Sequence, residues 1–114
     1  MDSALEIEVP PLFTTDELTR LRRRLLAKGR DLAEQLAALM AGLKPKATDL
    51  LDAKPGETKI ERTRRYLDLV DRKIKAIAAG TYGHCDGCGT AFPYVLLAEL
   101  PWMDRCRACA ASAT

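Results

Sequence analysis

The sequence predicts a mainly α-helical protein, in which a long antiparallel helical hairpin, paired as a coiled coil, is followed by a small four-cysteine module. Three observations lead to this fold class. Two leucine- and isoleucine-rich segments show the three- and four-residue spacing of amphipathic helices. Aromatic residues make up only 5% of the 114 residues, which argues against a β-sandwich. All four cysteines lie in the last third of the chain.

The first helix is predicted to begin after Thr14, because Thr14 and Glu17 have the spacing of a capping box. Lys28 interrupts the apolar face, and its aliphatic stem is expected to lie along the seam with its ammonium group in water. Gly42 and Pro45 are expected to end the helix. The apolar face comprises Leu18, Leu21, Leu25, Leu32, Leu36, Leu39 and Leu43.

The second helix is predicted to begin near Thr58 and to end at Gly80, a typical C-terminal stop. Its apolar positions alternate by three and four residues, as in a heptad seam. Because each seam alone would expose an apolar strip, the two helices are expected to fold back on each other. The second seam comprises Ile60, Thr63, Leu67, Val70, Ile74 and Ile77. The predicted organisation is an irregular arm over 1–13, a coiled-coil hairpin over 14–79 with its tip loop near 44–57, and a cysteine module over 80–114.

The cysteines form two C-x-x-C motifs, Cys85/Cys88 and Cys106/Cys109, separated by 17 residues. This spacing is typical of a zinc site. Two intervening residues let both thiolates of a motif reach one ion at ~2.3 Å, and four thiolates leave no open position for water. The sequence therefore predicts one structural Zn²⁺ and a zinc-finger module with four cysteine ligands. A segment of about 30 residues has little core of its own, so zinc is expected to supply most of its folding free energy.

Other interpretations of this segment are less favoured. Disulfides are disfavoured because the N-terminus does not resemble a signal peptide, and a cytoplasmic location is predicted. A thioredoxin-like redox pair would need a surrounding βαβ pattern. His84 could replace one thiolate as a ligand, but a surface role is favoured. Gly83, Gly87 and Gly89 are expected to supply unusual backbone angles.

The charged residues indicate a local basic surface on a chain whose net charge is only +2. Solvated helix faces with pairs such as Asp68–Arg72 explain many of them, while the cluster as a whole could face a polyanionic partner. No apolar run approaches the ~20 residues that cross a bilayer. No catalytic set is visible, because Ser3 and Ser112 lie in the tails and the only histidine adjoins a metal ligand. The protein is therefore predicted not to be an enzyme.

A helical hairpin followed by Tyr82-Gly83-x-Cys85-x-x-Cys88-Gly89 and then Pro101-x-x-x-x-Cys106-x-x-Cys109 resembles the DksA/TraR family. These are bacterial zinc-finger proteins that bind RNA polymerase. The resemblance covers residues 15–109. It implies a cytoplasmic, monomeric transcription regulator whose coiled coil enters the secondary channel of the polymerase, without sequence-specific DNA binding or membrane contact.

The family's tip pattern is Asp-x-x-Asp-x-Ala, which resembles Asp49-Leu50-Leu51-Asp52-Ala53 with the alanine one position early. The resemblance implies that these five residues contact the polymerase near its catalytic centre, and Leu50 and Leu51 are expected to be exposed. The alternative is that Asp49 caps a turn and Asp52 is merely solvated.

Family members that respond to the alarmone ppGpp carry basic residues where this chain has uncharged ones. A weak or absent ppGpp response is therefore expected. Two other functions remain open from the residues alone: a zinc-ribbon DNA-binding protein that uses the basic hairpin, and a thiol-based redox sensor. The uncharged positions are Val95, Leu96, Leu100 and Ala110.

Overall fold

The computed structural model describes residues 12–45 and 51–112, and within them the predicted mainly α-helical fold is confirmed. The only β pairing among these residues is an isolated antiparallel bridge between His84 and Ala91. The molecule is elongated, with principal extents of 60 × 31 × 26 Å. None of the described helices is both long enough and apolar enough to cross a membrane. The helices are α1 (Thr15–Met40), α2 (Lys59–Ala79), α3 (Tyr94–Glu99) and α4 (Arg107–Ser112).

Helix α1 begins at the predicted capping box, and the predicted stop at Gly42 ends it three residues before Leu43. Thr14 and Glu17 form a complete capping box. The helix stops at Met40 because Gly42 takes a positive φ of 75°, after which the Leu43 N–H bonds back to the Ala38 carbonyl at 2.8 Å. Leu43, predicted on the apolar face, is 65% exposed and lies outside the helix.

Helix α2 has the predicted ends. Thr58 and Glu61 form a second capping box, and Gly80 closes the helix with a φ of 77°. The capping box and the C-terminal glycine each involve residues within one turn of the helix end, so both can be recognised from the sequence.

The two long helices pair in antiparallel fashion, as expected. Gln35 donates from its side chain to the Thr63 hydroxyl at 3.1 Å. Nearly two turns earlier in α1, a Cβ on Gly29 would lie 3.6 Å from Val70 Cγ1. An earlier residue of α1 therefore lies opposite a later residue of α2. The helices run antiparallel, and their apolar seams cover each other.

The buried face of α2 differs from the predicted seam. Thr63 and Val70 are buried as expected, but Leu67 and Ile74 are only half-buried at the edge of the pairing. Tyr66 and Lys73 are buried in addition. The reason is that α2 packs against two neighbours, α1 on one side and the cysteine module on the other.

The cysteine module lies along the side of the hairpin. Trp102 packs edge-on against Tyr66, with 5.4 Å between ring centroids. The Lys28 ammonium lies 5.0 Å from the Tyr66 centroid and 5.5 Å from the Trp102 centroid. Two aromatic faces therefore lie within cation–π distance of this ammonium, a contact that spacing in the sequence did not predict. Arg24 adds a contact to α3 by donating to the Glu99 carbonyl at 3.3 Å.

Candidate metal centre and linker

The four predicted zinc ligands come together in one cluster. The sulfur atoms of Cys85, Cys88, Cys106 and Cys109 all lie within 4.8 Å of one another. A tetrahedral zinc with Zn–S bonds of ~2.3 Å requires S···S separations of about 3.8 Å. The Cys88 and Cys106 sulfurs are 3.8 Å apart. The cluster therefore fits one Zn²⁺ bound by four thiolates.

Short-range backbone bonds shape the first cysteine motif. The Cys85 N–H donates to the Thr90 carbonyl at 2.8 Å, and the Gly89 N–H donates to the Cys85 carbonyl at 2.9 Å. Gly89 has a positive φ of 76°, as expected, but Gly87 does not have a positive φ. Gly87 is required for space instead, because a Cβ there would lie 2.9 Å from the sulfur of Cys109.

Hydrogen bonds to sulfur favour the thiolate form at Cys85. The backbone N–H groups of Cys106 and Gly87 each donate to its sulfur at 3.3 Å. These bonds, led by that from Cys106, lower the pKa of Cys85 to about 6. The neighbouring thiols, first that of Cys106, raise the pKa of Cys109 to about 12. Four thiolates in one cluster therefore need a cation between them, and a divalent metal provides it.

The chemistry of this centre is structural. Four cysteine ligands complete a tetrahedron and leave no position for water or substrate. His84 is exposed, and its Nδ1 lies 3.5 Å from the Thr81 carbonyl, outside the sulfur cluster. Histidine ligation is therefore not needed to complete the site.

Comparison with known proteins identifies this module. Residues 80–114 match the family model of the prokaryotic dksA/traR C4-type zinc finger. The resemblance predicted from the cysteine and glycine motifs is thereby confirmed for residues 80–114. That family is regulatory and not enzymatic.

A curated relative matches a short segment of the chain. An "Uncharacterized protein" from Aquifex aeolicus (strain VF5) is 39% identical over 41 residues, which cover 36% of this chain and 28% of that relative. The chain thus spans little more than a quarter of the length of the curated relative that it matches. No solved structure matches the chain significantly.

The zinc-finger module is tied to α2 by Asp86, a residue that sequence reasoning did not single out. Its carboxylate contacts Lys73 at 3.2 Å and Arg72 at 3.3 Å. The expected pair between Asp68 and Arg72 is replaced by this contact. The only sequence signal was a lone acidic residue between two metal ligands, and its partners on α2 could not be recognised from spacing.

The interior of the zinc-finger module also contains a buried hydrogen bond from a tyrosine. Tyr82 is buried, and its hydroxyl donates to the Pro101 carbonyl at 2.8 Å. Burial raises the pKa of this tyrosine. The bond joins the start of the finger to the turn that carries Trp102, and so it sets where Trp102 meets the hairpin.

The predicted tip residues are only partly described by the structure. Asp49 and Leu50 lie outside the described residues. Leu51 is half-buried and packs against the hydrophobic core, so its expected exposure is wrong. Asp52 and Ala53 are exposed.

Arg65 holds the linker between α1 and α2 against the side of α2. Its guanidinium contacts the Glu57 carboxylate at 2.8 and 2.9 Å and donates to the Asp52 carbonyl at 2.7 Å. The Arg65 hydrogen bond, helped by the Lys54 backbone N–H, lowers the pKa of Glu57 to about 2. Residues 51–57 therefore follow α2 and do not extend straight beyond it.

A cleft of about 770 Å³ separates this linker from the zinc-finger module. Leu51 and Asp52 line it on one side and Arg105 on the other, with Leu69 and Arg72 between them. Leu69 lies about three turns into α2, well away from the end of the hairpin. Sequence spacing placed Asp52 at a protruding tip, whereas the described part of the linker returns toward the zinc finger.

Proposed function

We propose that this protein is a transcription regulator that binds RNA polymerase and places the distal end of its hairpin in the secondary channel. The observation that carries the proposal is the match of residues 80–114 to the dksA/traR zinc finger, on a chain whose α1 and α2 form an antiparallel hairpin. The protein would act as a cytoplasmic monomer and without catalysis of its own.

The proposal gives the two ends of the molecule different parts. Trp102 and Lys28 mark the level at which the zinc finger meets the hairpin. Beyond Lys28, α1 continues to Met40, a further length of about 18 Å. This distal part forms the section that would enter a channel, while the zinc finger would remain outside and hold the hairpin in place. Leu51 and Asp52, which line the cleft beside the zinc finger, would meet the polymerase near the finger.

The residues proposed to contact the polymerase are Asp49, Leu50, Leu51, Asp52 and Ala53. Carboxylates near a metal-dependent active site can alter Mg²⁺ coordination or pair with basic residues of the partner. Because Arg65 binds the Asp52 carbonyl and not its carboxylate, the acidic group itself stays exposed and available.

A weak or absent ppGpp dependence is part of the proposal. Val95 is 75% exposed and Leu100 is 41% exposed, so this surface of the finger offers apolar groups where a phosphate needs donors. Ala110 borders the cleft that contains Arg72 and Arg105, and these two arginines are the nearest candidates if ppGpp does act.

The proposal is tested by binding and transcription assays on the zinc-loaded protein. We expect wild type to bind purified core RNA polymerase and to change transcript yield from a ribosomal promoter. The double variant D49N/D52N should still bind but lose at least tenfold of the transcriptional effect. The matched control is D71N, which removes the charge of an α2 carboxylate that pairs with Lys75 and lines a different groove, beside Leu26 and Gly29 of α1.

Distinct results would contradict each part. Absence of binding to core polymerase would remove the function, and full activity of D49N/D52N would remove the linker from the mechanism. A strong enhancement by ppGpp would overturn the alarmone prediction, and loss of that enhancement in R105A would locate the ligand. A gel shift of duplex DNA without polymerase would favour the DNA-binding alternative.

A further inference from the structure

An open groove lies between α1 and α3, at the opposite end of the hairpin from the linker. Its volume is about 380 Å³. Apolar or small side chains form its floor and arginines form its rim. The floor is Leu21, Tyr94 and Ala98, and the rim is Arg20, Arg23 and Arg24.

The floor of this groove is held in place by packing on its inner side. Leu21 is almost fully buried beneath it. Tyr94 is half-buried and has Phe13 behind it, with 6.4 Å between the ring centroids. Val95, the next residue of α3, is 75% exposed. An apolar floor of this kind, open to solvent and continued by an exposed valine, is typical of a contact surface.

The positive charge of the rim is not neutralised within the described part of the chain. Neither Arg20 nor Arg23 forms an ion pair or a side-chain hydrogen bond to any described residue. Arg24 donates to the Glu99 carbonyl, which leaves its charge uncompensated. Two acidic groups lie nearby on α1: Asp16 forms no ion pair with a described residue, and the Glu17 carboxylate accepts the Thr14 N–H of the helix cap.

We propose that this groove docks an acidic segment of a partner protein that inserts at least one apolar side chain between its carboxylates. The apolar side chain would cover Leu21, Tyr94 and Ala98, and the carboxylates would pair with the arginine rim. A volume of about 380 Å³ is within the range of sites that bind compact ligands. A nucleic-acid backbone would match the rim but would leave the floor uncovered, so the protein segment is favoured.

This surface is separate from the one used in the proposed function. Arg24 lies 16 residues before the end of α1, or about 24 Å along the helix. A partner could therefore occupy the groove while the distal end of the hairpin is engaged elsewhere.

The experiment is a fluorescence-anisotropy titration of the zinc-loaded chain into a labelled peptide, Asp-Glu-Asp-Leu-Phe-Asp-Glu-Asp, at physiological salt. The matched control peptide replaces Leu and Phe by Ser and keeps the charge. The variant R20E/R23E should weaken binding of the first peptide at least tenfold. The control variant R22E/R30E has the same net charge but reverses two other exposed arginines of α1, and it should change binding less than threefold.

A second variant tests the floor without altering charge. In A98L, the larger side chain should fill the groove and weaken peptide binding at least threefold, and far-UV circular dichroism of each variant checks that the helices persist. Higher salt should weaken binding, because the arginine–carboxylate contacts are exposed.

Three outcomes would overturn the proposal. Equal weakening by R22E/R30E would mean non-specific charge attraction, and equal binding of the serine peptide would mean that the floor is not used. Complete competition by duplex DNA would assign the rim to nucleic acid. Because the titration contains no polymerase, its result is independent of whether the proposed function holds.

Discussion

Gly83 shows at the scale of one residue how the N-terminal end of the hairpin is joined to the zinc finger. It has a φ of 99°, a conformation that side chains other than glycine rarely adopt. A Cβ at this position would lie 2.6 and 2.7 Å from two ring carbons of Phe13. Phe13 in turn packs against Tyr82 with 5.8 Å between centroids. The missing side chain therefore allows an aromatic cluster to close over the junction.

The variant G83A is expected to destabilise the zinc-loaded protein by about 2–6 kcal/mol. About 1–3 kcal/mol reflects the backbone strain and a similar amount the overpacking against Phe13. The control is G89A, which shares the positive φ but has no atom within 4 Å of the added Cβ. Urea unfolding followed by circular dichroism measures both. Equal destabilisation by the two variants would contradict the packing role of Phe13.

At the scale of elements, the helices and the cysteine module were predictable from the sequence, because their signals are local. Thr14 with Glu17 and Thr58 with Glu61 each lie within one turn of the helix that they cap. The C-x-x-C motifs likewise impose their own geometry. Short-range hydrogen bonds of this kind can be predicted from residue type and spacing alone.

The path of the linker could not be predicted in this way. Two prolines and a glycine indicate that the helix is interrupted, but they do not show which way the linker runs. Its direction depends on Arg65 binding Glu57 and the Asp52 carbonyl, and on Leu51 packing against the core. Many exposed acidic residues could have been the partners of this arginine, and only the fold selects among them.

Removing the Arg65 side chain should release the linker without unfolding the helices. In R65A we expect amide hydrogen exchange over residues 51–57 to become about tenfold faster, since charge-assisted bonds to a carboxylate and a carbonyl are lost. The control is R64A, whose guanidinium has a 3.7 Å contact to Met40 Sδ and no hydrogen bond or ion pair to linker residues 51–57. Exchange mass spectrometry of peptic fragments measures the effect. The same acceleration in both variants would contradict the role assigned to Arg65.

The same pair also determines how the linker responds to acid. The pKa of Glu57 lies well below its usual 4.5, at about 2, so its stabilising contribution is complete above pH 4.5 and is lost as the pH falls toward 2. Linker attachment should therefore be unchanged between pH 5 and 8. Amide exchange over residues 51–57 measures this, after correction for the intrinsic pH dependence of exchange. Lower protection at pH 5 than at pH 8 would contradict the low pKa assigned to Glu57.

At the scale of the whole molecule, the few aromatic residues are concentrated where the zinc finger meets the hairpin. Phe13, Tyr82 and Tyr94 form one cluster near the start of α1, and Tyr66 and Trp102 form a second contact farther along the hairpin. The seam between α1 and α2 needs no aromatic rings, because the two helices bury only a narrow apolar strip of leucine and isoleucine side chains. The low aromatic content thus reflects a fold in which the large rings join the two parts.

Removing zinc should therefore undock the finger and leave much of the hairpin. Trp102 is the only tryptophan, and it packs against Tyr66 beside Lys28, so its fluorescence reports this contact. On chelation we expect its emission to shift to longer wavelength, while far-UV circular dichroism keeps most of its helical signal from α1 and α2. Zinc, but not magnesium, should reverse the shift.

Acid should produce the same undocking, because protons compete with the metal for the thiolates. The pKa of Cys109, near 12 without metal, means that zinc binding must displace a proton there, so zinc affinity falls as the pH falls. Metal release measured with a chromogenic chelator should therefore coincide with the Trp102 shift along one pH titration, at one zinc per chain. Release of zinc with unchanged tryptophan emission would show that the finger docks without its metal. Parallel loss of the whole helical signal would show that the hairpin depends on the finger for its own stability.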